Sequence, residues 1–434
     1  MRAAPFYPGQ KMSTTFVAAV DDTSLYFDIN ELTPKQMQDD AETVDLMGFL
    51  QMAHVGIGKA ADHVMMYEGF GTGPCAARVE AYAAYFEKMG IETVPPEHRH
   101  LHPVDGYYDS VAAALPDTDS ITLYMTSGTN GVLHKDPAFY KVSQNLNSKF
   151  HFAEHAPVAG IPVPDTLATS KGELGNAAAA TFMDKHGGEV MLKVLGLAGA
   201  RNVTSVSGIE EAKAYVAEYS DDMKVLLQEK LDFSTWTEMT ADLFVSDTEV
   251  QITNFRKIMF ADGLWVGNLI GPDVEVEVAD HHRRELIKIG EYARSHGYSS
   301  PEGLNCGVDY FINEDGGFLV TEINARWTGG LFPTEIIRQA GAQNETCVAF
   351  VDLVRGDKFD DYLSFIEKYL YKNSDGPFAF IPLGFSPNQQ QLDDGEYFYT
   401  WQVIAGDFEA FKQARREELK QGAMDRADSI SVLL

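Results

Sequence analysis

The segment from Gly307 to Gly330 constrains this chain more than any other. It reads as two short apolar strands joined by a Glu314-Asp315-Gly316-Gly317 turn, and it carries Asp309, Glu322, Asn324 and Arg326. Side chains alternate faces along a strand, so Glu322, Asn324 and Arg326 project from one face and Ile323 and Ala325 from the other. A hairpin closed between Asn313 and Gly317 brings Asp309 onto the same face, across the ladder. Two carboxylates, an amide oxygen and a guanidinium then form one cluster. Hard oxygen donors in that number suit Mg2+, which is commonly held by one or two carboxylates together with substrate phosphates. A guanidinium beside them suits a transferring phosphoryl group. The plain alternative is a solvated hairpin face. Against it stand the small apolar residues between the polar ones and Gly329-Gly330, where backbone is able to approach closely.

A chain of 434 residues has room for two to four domains. Its formal charge, 34 − 64 = −30, argues against a nucleic-acid or anionic-membrane binder, since both partners need a basic surface. No apolar run is long enough to span a bilayer. The first twenty residues lack the pattern of a secretory leader, and Cys75, Cys306 and Cys347 are too scattered for a disulfide or metal framework. A reducing cytoplasm is the expected location.

Residues 1–148 alternate strand and helix patterns, which predicts a parallel α/β layer. Strands are expected at Thr15–Val20, His63–Met66, Ile91–Val94 and Ile121–Met125, with a helix over Ala76–Met89. Gly69-Phe-Gly-Thr-Gly73 partly resembles a dinucleotide-binding loop but lacks its full spacing. Tight-turn geometry and substrate contact through helix amides are both open there. The His98-Arg-His-Leu-His102 run reads as a surface loop. The second half is mixed α+β: strands at Val190–Val194 and Lys224–Gln228, a hairpin over Glu238–Val245 and Glu249–Phe260, and a helix over His281–His296. Helices are further expected at Thr334–Gly341, Cys347–Arg355 and Tyr362–Tyr371, and strands at Phe378–Gly384 and Tyr397–Ile404.

The order of these parts carries more than any one of them. Lys149 precedes a helix and a Gly160-Ile-Pro-Val-Pro164 exit. Lys193 ends a strand and enters a small-residue loop, Leu195 to Arg201. A Gln228-Glu-Lys-Leu231 strand exit follows, then Arg256 within a strand, then Asp309 and Glu322-Ile-Asn-Ala-Arg326. This ordered set, over roughly residues 145–335, resembles the ATP-grasp superfamily. The resemblance implies a multidomain α/β and α+β chain: an N-terminal pre-ATP-grasp α/β domain (1–148), an ATP-grasp domain (149–335, with a lid subdomain at about 165–231), and a C-terminal extension (336–434) that completes or caps it.

By the same resemblance, Lys149 and Lys193 hold ATP phosphates under a mobile loop containing Gly196 and Gly199. Glu229, Lys230 and Leu231 meet the adenine edge, and Glu238 the ribose. Arg256 faces the γ-phosphate or the carboxylate substrate. Asp309, Glu322 and Asn324 bind two Mg2+ ions, replaceable by Mn2+, and Arg326 stabilises charge at the reacting carboxylate. Two departures stand out: fewer glycines in the phosphate loop than many members have, and Asp309 where Glu is common. The implied activity is ATP-dependent carboxylate–amine ligation through an acyl phosphate, releasing ADP and phosphate. The residues after Asn324 look most like those of peptide-type ligases, so amino acids or peptides are the expected substrates and a homodimer the expected assembly. The alternatives are an ATP-grasp carboxylase or acyl-CoA ligase, and a non-catalytic ATP-binding regulator.

Overall fold

The computed structural model describes residues 13–18, 47–123, 132–133, 137–195, 203–261, 264–392, 395–419 and 430. Three sheets organise them. The first is parallel, with strands β1 (Thr14–Val17), β2 (His63–Tyr67), β3 (Arg99–His102) and β4 (Ser120–Leu123) in the order β3-β2-β1-β4. The expected α/β layer is present, with two differences. Residues 91–95 are irregular, and the next strand of the layer is β3, inside the histidine run read as a loop. His102 decides the matter: it is buried, its Nδ1 lies 2.9 Å from Ser110 Oγ, and β3 adds to the sheet edge beside β2.

The second sheet holds β5 (Thr166–Ser170), β6 (Val190–Val194), β7 (Val203–Val206) and β8 (Lys224–Glu229) in the order β5-β8-β6-β7, all antiparallel. It has its own core, in which Val190, Leu192 and Val194 of β6 pack with Phe182 and Met183 of the Ala177–Lys185 helix. Alternation along β6 therefore turns Lys193 away from that core. Asn176 caps the helix, its side chain accepting from the Ala179 amide at 2.9 Å.

The third sheet has eight strands: β9 (Trp236–Val245), β10 (Val250–Ala261), β11 (Leu264–Ile270), β12 (Leu304–Asn313), β13 (Phe318–Asn324), β14 (Cys347–Arg355), β15 (Phe378–Leu392) and β16 (Gly395–Gly406), ordered β13-β12-β9-β10-β11-β14-β16-β15. The expected β9–β10 and β12–β13 hairpins both form, the latter closed by the Asn313 amide donating to the Gly317 carbonyl at 3.3 Å. Cys347–Arg355, expected as a helix, is strand β14. Residues 347–354 are all buried, because β14 lies inside the sheet between β11 and β16 and is covered on both faces. A strand buried on both faces shows no alternation, and a short apolar run of that kind is indistinguishable from a buried helix by pattern. Helices Leu331–Ala340 and Phe359–Tyr369 match the other two helices expected in this region, and a third runs over Phe408–Leu419. Among the described residues no helix is long and apolar enough to cross a membrane.

The C-terminal strands are tied to the Phe408–Leu419 helix by a buried ion pair. Arg415 Nη1 lies 2.7 Å from Asp352 Oδ2, with both side chains almost wholly buried, and Gln402 Nε2 donates to the same oxygen at 3.1 Å. Removing one partner of such a pair strands the other charge out of water. Arg415→Met is expected to lower unfolding free energy by about 3–5 kcal/mol, measured by chemical denaturation. A loss below about 1 kcal/mol would mean that the pair is solvated.

Candidate active site

The site is assembled on one face of the third sheet by ladder register. Asp309 on β12 stands opposite Glu322 on β13 and opposite Thr240 on β9, and Thr240 stands opposite Arg256 on β10. Two residues along, Phe311 pairs with Glu238 and Gly307 with both Asp242 and Asn324. Side chains opposite one another share a face, so Glu238, Thr240, Asp242, Arg256, Asp309, Glu322 and Asn324 form one polar field. The register shifts beside Asp309, leaving Thr321 as an extra residue whose hydroxyl donates to the Asp309 carbonyl at 3.1 Å. Bulges of this kind re-aim the side chains next to them.

Within the hairpin, Asn324 Nδ2 donates to Asp309 Oδ2 at 3.0 Å. Arg326 Nη2 donates to Asn324 Oδ1 at 2.8 Å, and its Nη1 donates to the Trp327 carbonyl at 2.9 Å. Lys149 comes from another element. It is the first residue of the Lys149–His155 helix, whose cap Ser148 accepts from the His151 amide at 3.2 Å. The preceding Pro137–Asn147 helix is pinned to the hairpin exit: Ser143 Oγ and Asn147 Nδ2 each donate to the Ala325 carbonyl at 3.1 Å. This docking brings Lys149 Nζ into an ion pair with Glu322 Oε2.

Lys193 reaches the same field from β6, close enough for its charge to act on Lys149, Glu238 and Asp309. Burial, then Asp309, pushes the Glu238 carboxyl up to about 7. Burial, then Lys193, pulls the Lys149 ammonium down to about 7, and burial likewise lowers Lys193. The Glu322 contact works the other way and favours protonated Lys149. The three shifts share burial as their first cause, with the charges of neighbouring side chains second.

Arg256 is engaged differently from the expectation that it faces phosphate or substrate. Its side chain is 1% exposed, as is that of Asp242, with which it forms an ion pair. Nη1 also donates to Asn254 Oδ1, and Nη2 donates to Thr328 Oγ1 at 3.1 Å. Thr328 Oγ1 donates to Asp242 Oδ1 at 2.8 Å, and Asn254 Nδ2 to Asp242 Oδ2 at 2.9 Å. Arg256 thus belongs to a closed network beneath the site. Asp242, Asn254, Thr240 and Thr328 were missed in the sequence. The available signal was the two-residue spacing of Glu238, Thr240 and Asp242 on one strand.

Glu229 ends β8, where its carboxylate accepts from the Asp165 amide at 3.1 Å. Lys230 pairs with Glu189, and Leu231 follows half-buried. Gly196 and Gly199, and with them most of the expected phosphate loop, lie outside the described residues. The Gly69–Gly73 segment is a short 3-10 turn leading into the Gly73–Lys88 helix and packs under Pro387. Among the described residues no group of three or more His, Cys, Asp or Glu side chains forms a metal cage. The donor set Asp309, Glu322 and Asn324 is instead a partial oxygen shell, which fits Mg2+ completed by phosphates.

No family model and no curated protein matches the chain. Solved structures do. N5-carboxyaminoimidazole synthetase from Staphylococcus aureus complexed with ADP is 10% identical and superposes with a TM-score of 0.55, over 95% of this chain and 99% of its own. The biotin carboxylase domain of Hydrogenobacter thermophilus 2-oxoglutarate carboxylase, with MgADP, ADP and bicarbonate, is 11% identical with a TM-score of 0.54, over 97% and 91%. Biotin carboxylase from Campylobacter jejuni is 12% identical with a TM-score of 0.51, over 96% and 93%. At these identities the likeness is one of fold. The fold is ATP-grasp, preceded by an N-terminal α/β domain.

Two outcomes are expected here. A methyl group at Gly330 would lie 2.2 Å from Arg256 Nε, so Gly330→Ala should cost about 1–3 kcal/mol by overpacking, read by denaturation. A near-neutral result would show that the network yields easily. The second is linkage. With its pKa raised from 4.5 to about 7 on folding, Glu238 lets the native state bind the extra proton across that window, so its contribution to stability falls as pH rises from about 4.5 to 7. Glu238→Gln removes this component and should gain stability relative to wild type between pH 5 and 7. Parallel pH profiles would contradict the shift.

Proposed function

We propose that the protein is an ATP-dependent ligase that activates a carboxylate as an acyl phosphate and transfers it to a nitrogen nucleophile, releasing ADP and phosphate. One observation carries this reading. Asp309, Glu322 and Asn324 share a face with Glu238 in an ATP-grasp fold, Arg326 donates to Asn324 from the strand exit, and Lys149 and Lys193 converge on the face from two other elements.

Lys149 and Lys193 bind the phosphates of ATP. Burial opposes the charge on both, and an arriving phosphate favours it through a contact made in a low-dielectric cleft. The β8 exit at Glu229, Lys230 and Leu231 meets the adenine edge with its backbone, and Glu238 contacts the ribose or the phosphates. Asp309, Glu322 and Asn324 hold Mg2+, which when bound neutralises the transferring phosphoryl group and the ADP leaving group. Arg326 orients the acid and holds the oxyanion that forms when nitrogen attacks the acyl phosphate. Arg256 acts through Asp242 and Thr328 as a positioning residue. The protein's share is placement and charge stabilisation rather than covalent catalysis.

The acid and amine are small molecules, and the amide reading favours amino acids or peptides. A second reading has bicarbonate as the acid. It is supported by the full-length likeness to carboxyaminoimidazole synthetase and biotin carboxylases, one of them solved with bicarbonate.

The test is ADP release from ATP and Mg2+ with hydroxylamine as nucleophile, over a panel of amino acids and with bicarbonate. Hydroxamate with one ADP and one phosphate supports acyl-phosphate chemistry on an organic acid. Bicarbonate-dependent ADP release without hydroxamate supports the second reading, and AMP with pyrophosphate would refute both. In the active pairing, Glu322→Ala is expected to abolish turnover while circular dichroism stays unchanged. Lys193→Ala should lower kcat/KM for ATP by a factor on the order of a hundred.

A further inference from the structure

The ligand-bearing face of the β12–β13 hairpin is already served by cations of the chain itself. Lys149 Nζ is paired with Glu322 Oε2. Arg326 Nη2 donates to Asn324 Oδ1, the one atom of that amide able to hold a metal, and Asn324 Nδ2 donates to Asp309 Oδ2. Each of the three groups assigned above as metal ligands therefore has an acceptor oxygen taken by a protein donor. The Lys149–Glu322 pair is no loose surface contact, since the two side chains are only 24% and 18% exposed. Lys149 also starts the helix that directly follows the one held on the hairpin exit through Ala325, so its ammonium is delivered to this place by packing of the backbone that carries it.

An ammonium and a divalent cation at the same carboxylate repel each other, and in a partly dry cleft the repulsion is large. Without a metal, Glu322 would stand half-buried beside Asp309 and Glu238, and Lys149 offsets that charge.

We propose that Lys149 is a placeholder cation: it neutralises Glu322 while no metal is bound, and metal entry expels its ammonium, which then turns to the phosphates of the nucleotide. The inference rests on the metal-ligand reading of Asp309, Glu322 and Asn324. It adds to that reading that metal entry and the arming of Lys149 are one exchange. Metal binding alone is then weak, because it strands Lys149. Nucleotide strengthens it by supplying the new partner, and by linkage the metal strengthens nucleotide binding by the same factor.

The experiment uses the full chain stripped with EDTA and titrated with Mn2+, free ion being read by electron paramagnetic resonance, with and without a non-hydrolysable ATP analogue. Lys149→Gln is expected to bind Mn2+ about tenfold more tightly than wild type in the absence of nucleotide, the loss of one opposing charge. Its gain in Mn2+ affinity on adding the analogue should shrink correspondingly. Lys149→Arg keeps the cation and should behave like wild type. Mn2+ should also raise the melting temperature of the Gln variant more than that of wild type. Folded Lys149→Gln that binds Mn2+ no more tightly than wild type would overturn the placeholder role. Failure of wild type to bind Mn2+ even with nucleotide is a different result: it would overturn the metal-ligand reading, and the proposal with it.

Discussion

Strand β12 is hydrogen-bonded to β13 on one side and β9 on the other, and everything at the site depends on the register of those two ladders. One row of opposite residues runs Glu322, Asp309, Thr240, Arg256 across four strands. A slip by one residue along β12 would move Asp309 to the far face and bring Val308 or Tyr310 into the polar field. The register is held from beneath by the Asp242–Arg256 pair and its partners Asn254 and Thr328. Two glycines make room for that network. At Gly307 a side chain would strike Thr328, and at Gly330 it would strike Arg256. The buried network and the polar face above it are thus two layers of one construction, the lower specifying and the upper available to ligands.

The upper layer is poorly satisfied by itself. Two lysines, three acidic groups and an arginine are gathered where water is partly excluded, and burial displaces the protonation equilibria of Lys149, Lys193 and Glu238. Such crowding of buried charge is costly by itself. It is the arrangement expected of a cleft whose charges are balanced only when a polyanion and a divalent cation enter together. The contrast with Asp352 and Arg415 is instructive. That pair is equally buried, but it is closed on itself and on Gln402, and no cleft residue takes part. The first cluster is the one proposed to serve chemistry, and the second holds the C-terminal strands to their helix.

The resemblance found in the sequence and the likeness found in solved structures reach the same fold by independent routes. The first rests on an ordered set of short polar signals and the second on backbone superposition at 10–12% identity. The path of a backbone persists where packing residues have been exchanged, since cores tolerate repacking when volume and pattern are kept.

The sequence by itself determined the hairpin, its turn and the shared face of Asp309, Glu322 and Asn324. Strand periodicity and turn chemistry are local, and each is written within a few residues. It also marked Lys149 and Lys193, though only by their order along the chain. Tertiary structure decided the rest. It made Cys347–Arg355 a strand, because burial on both faces erases the alternation that would reveal one. It put Arg99–His102 at a sheet edge instead of in a loop. It drew Arg256 into a buried pair with Asp242, fourteen positions away on the neighbouring strand. It also set Lys149 against Glu322 across 173 positions of chain. No local pattern encodes a partner at such separations; the partner is chosen when sheets and helices pack and the charges they carry have to be neutralised where they meet.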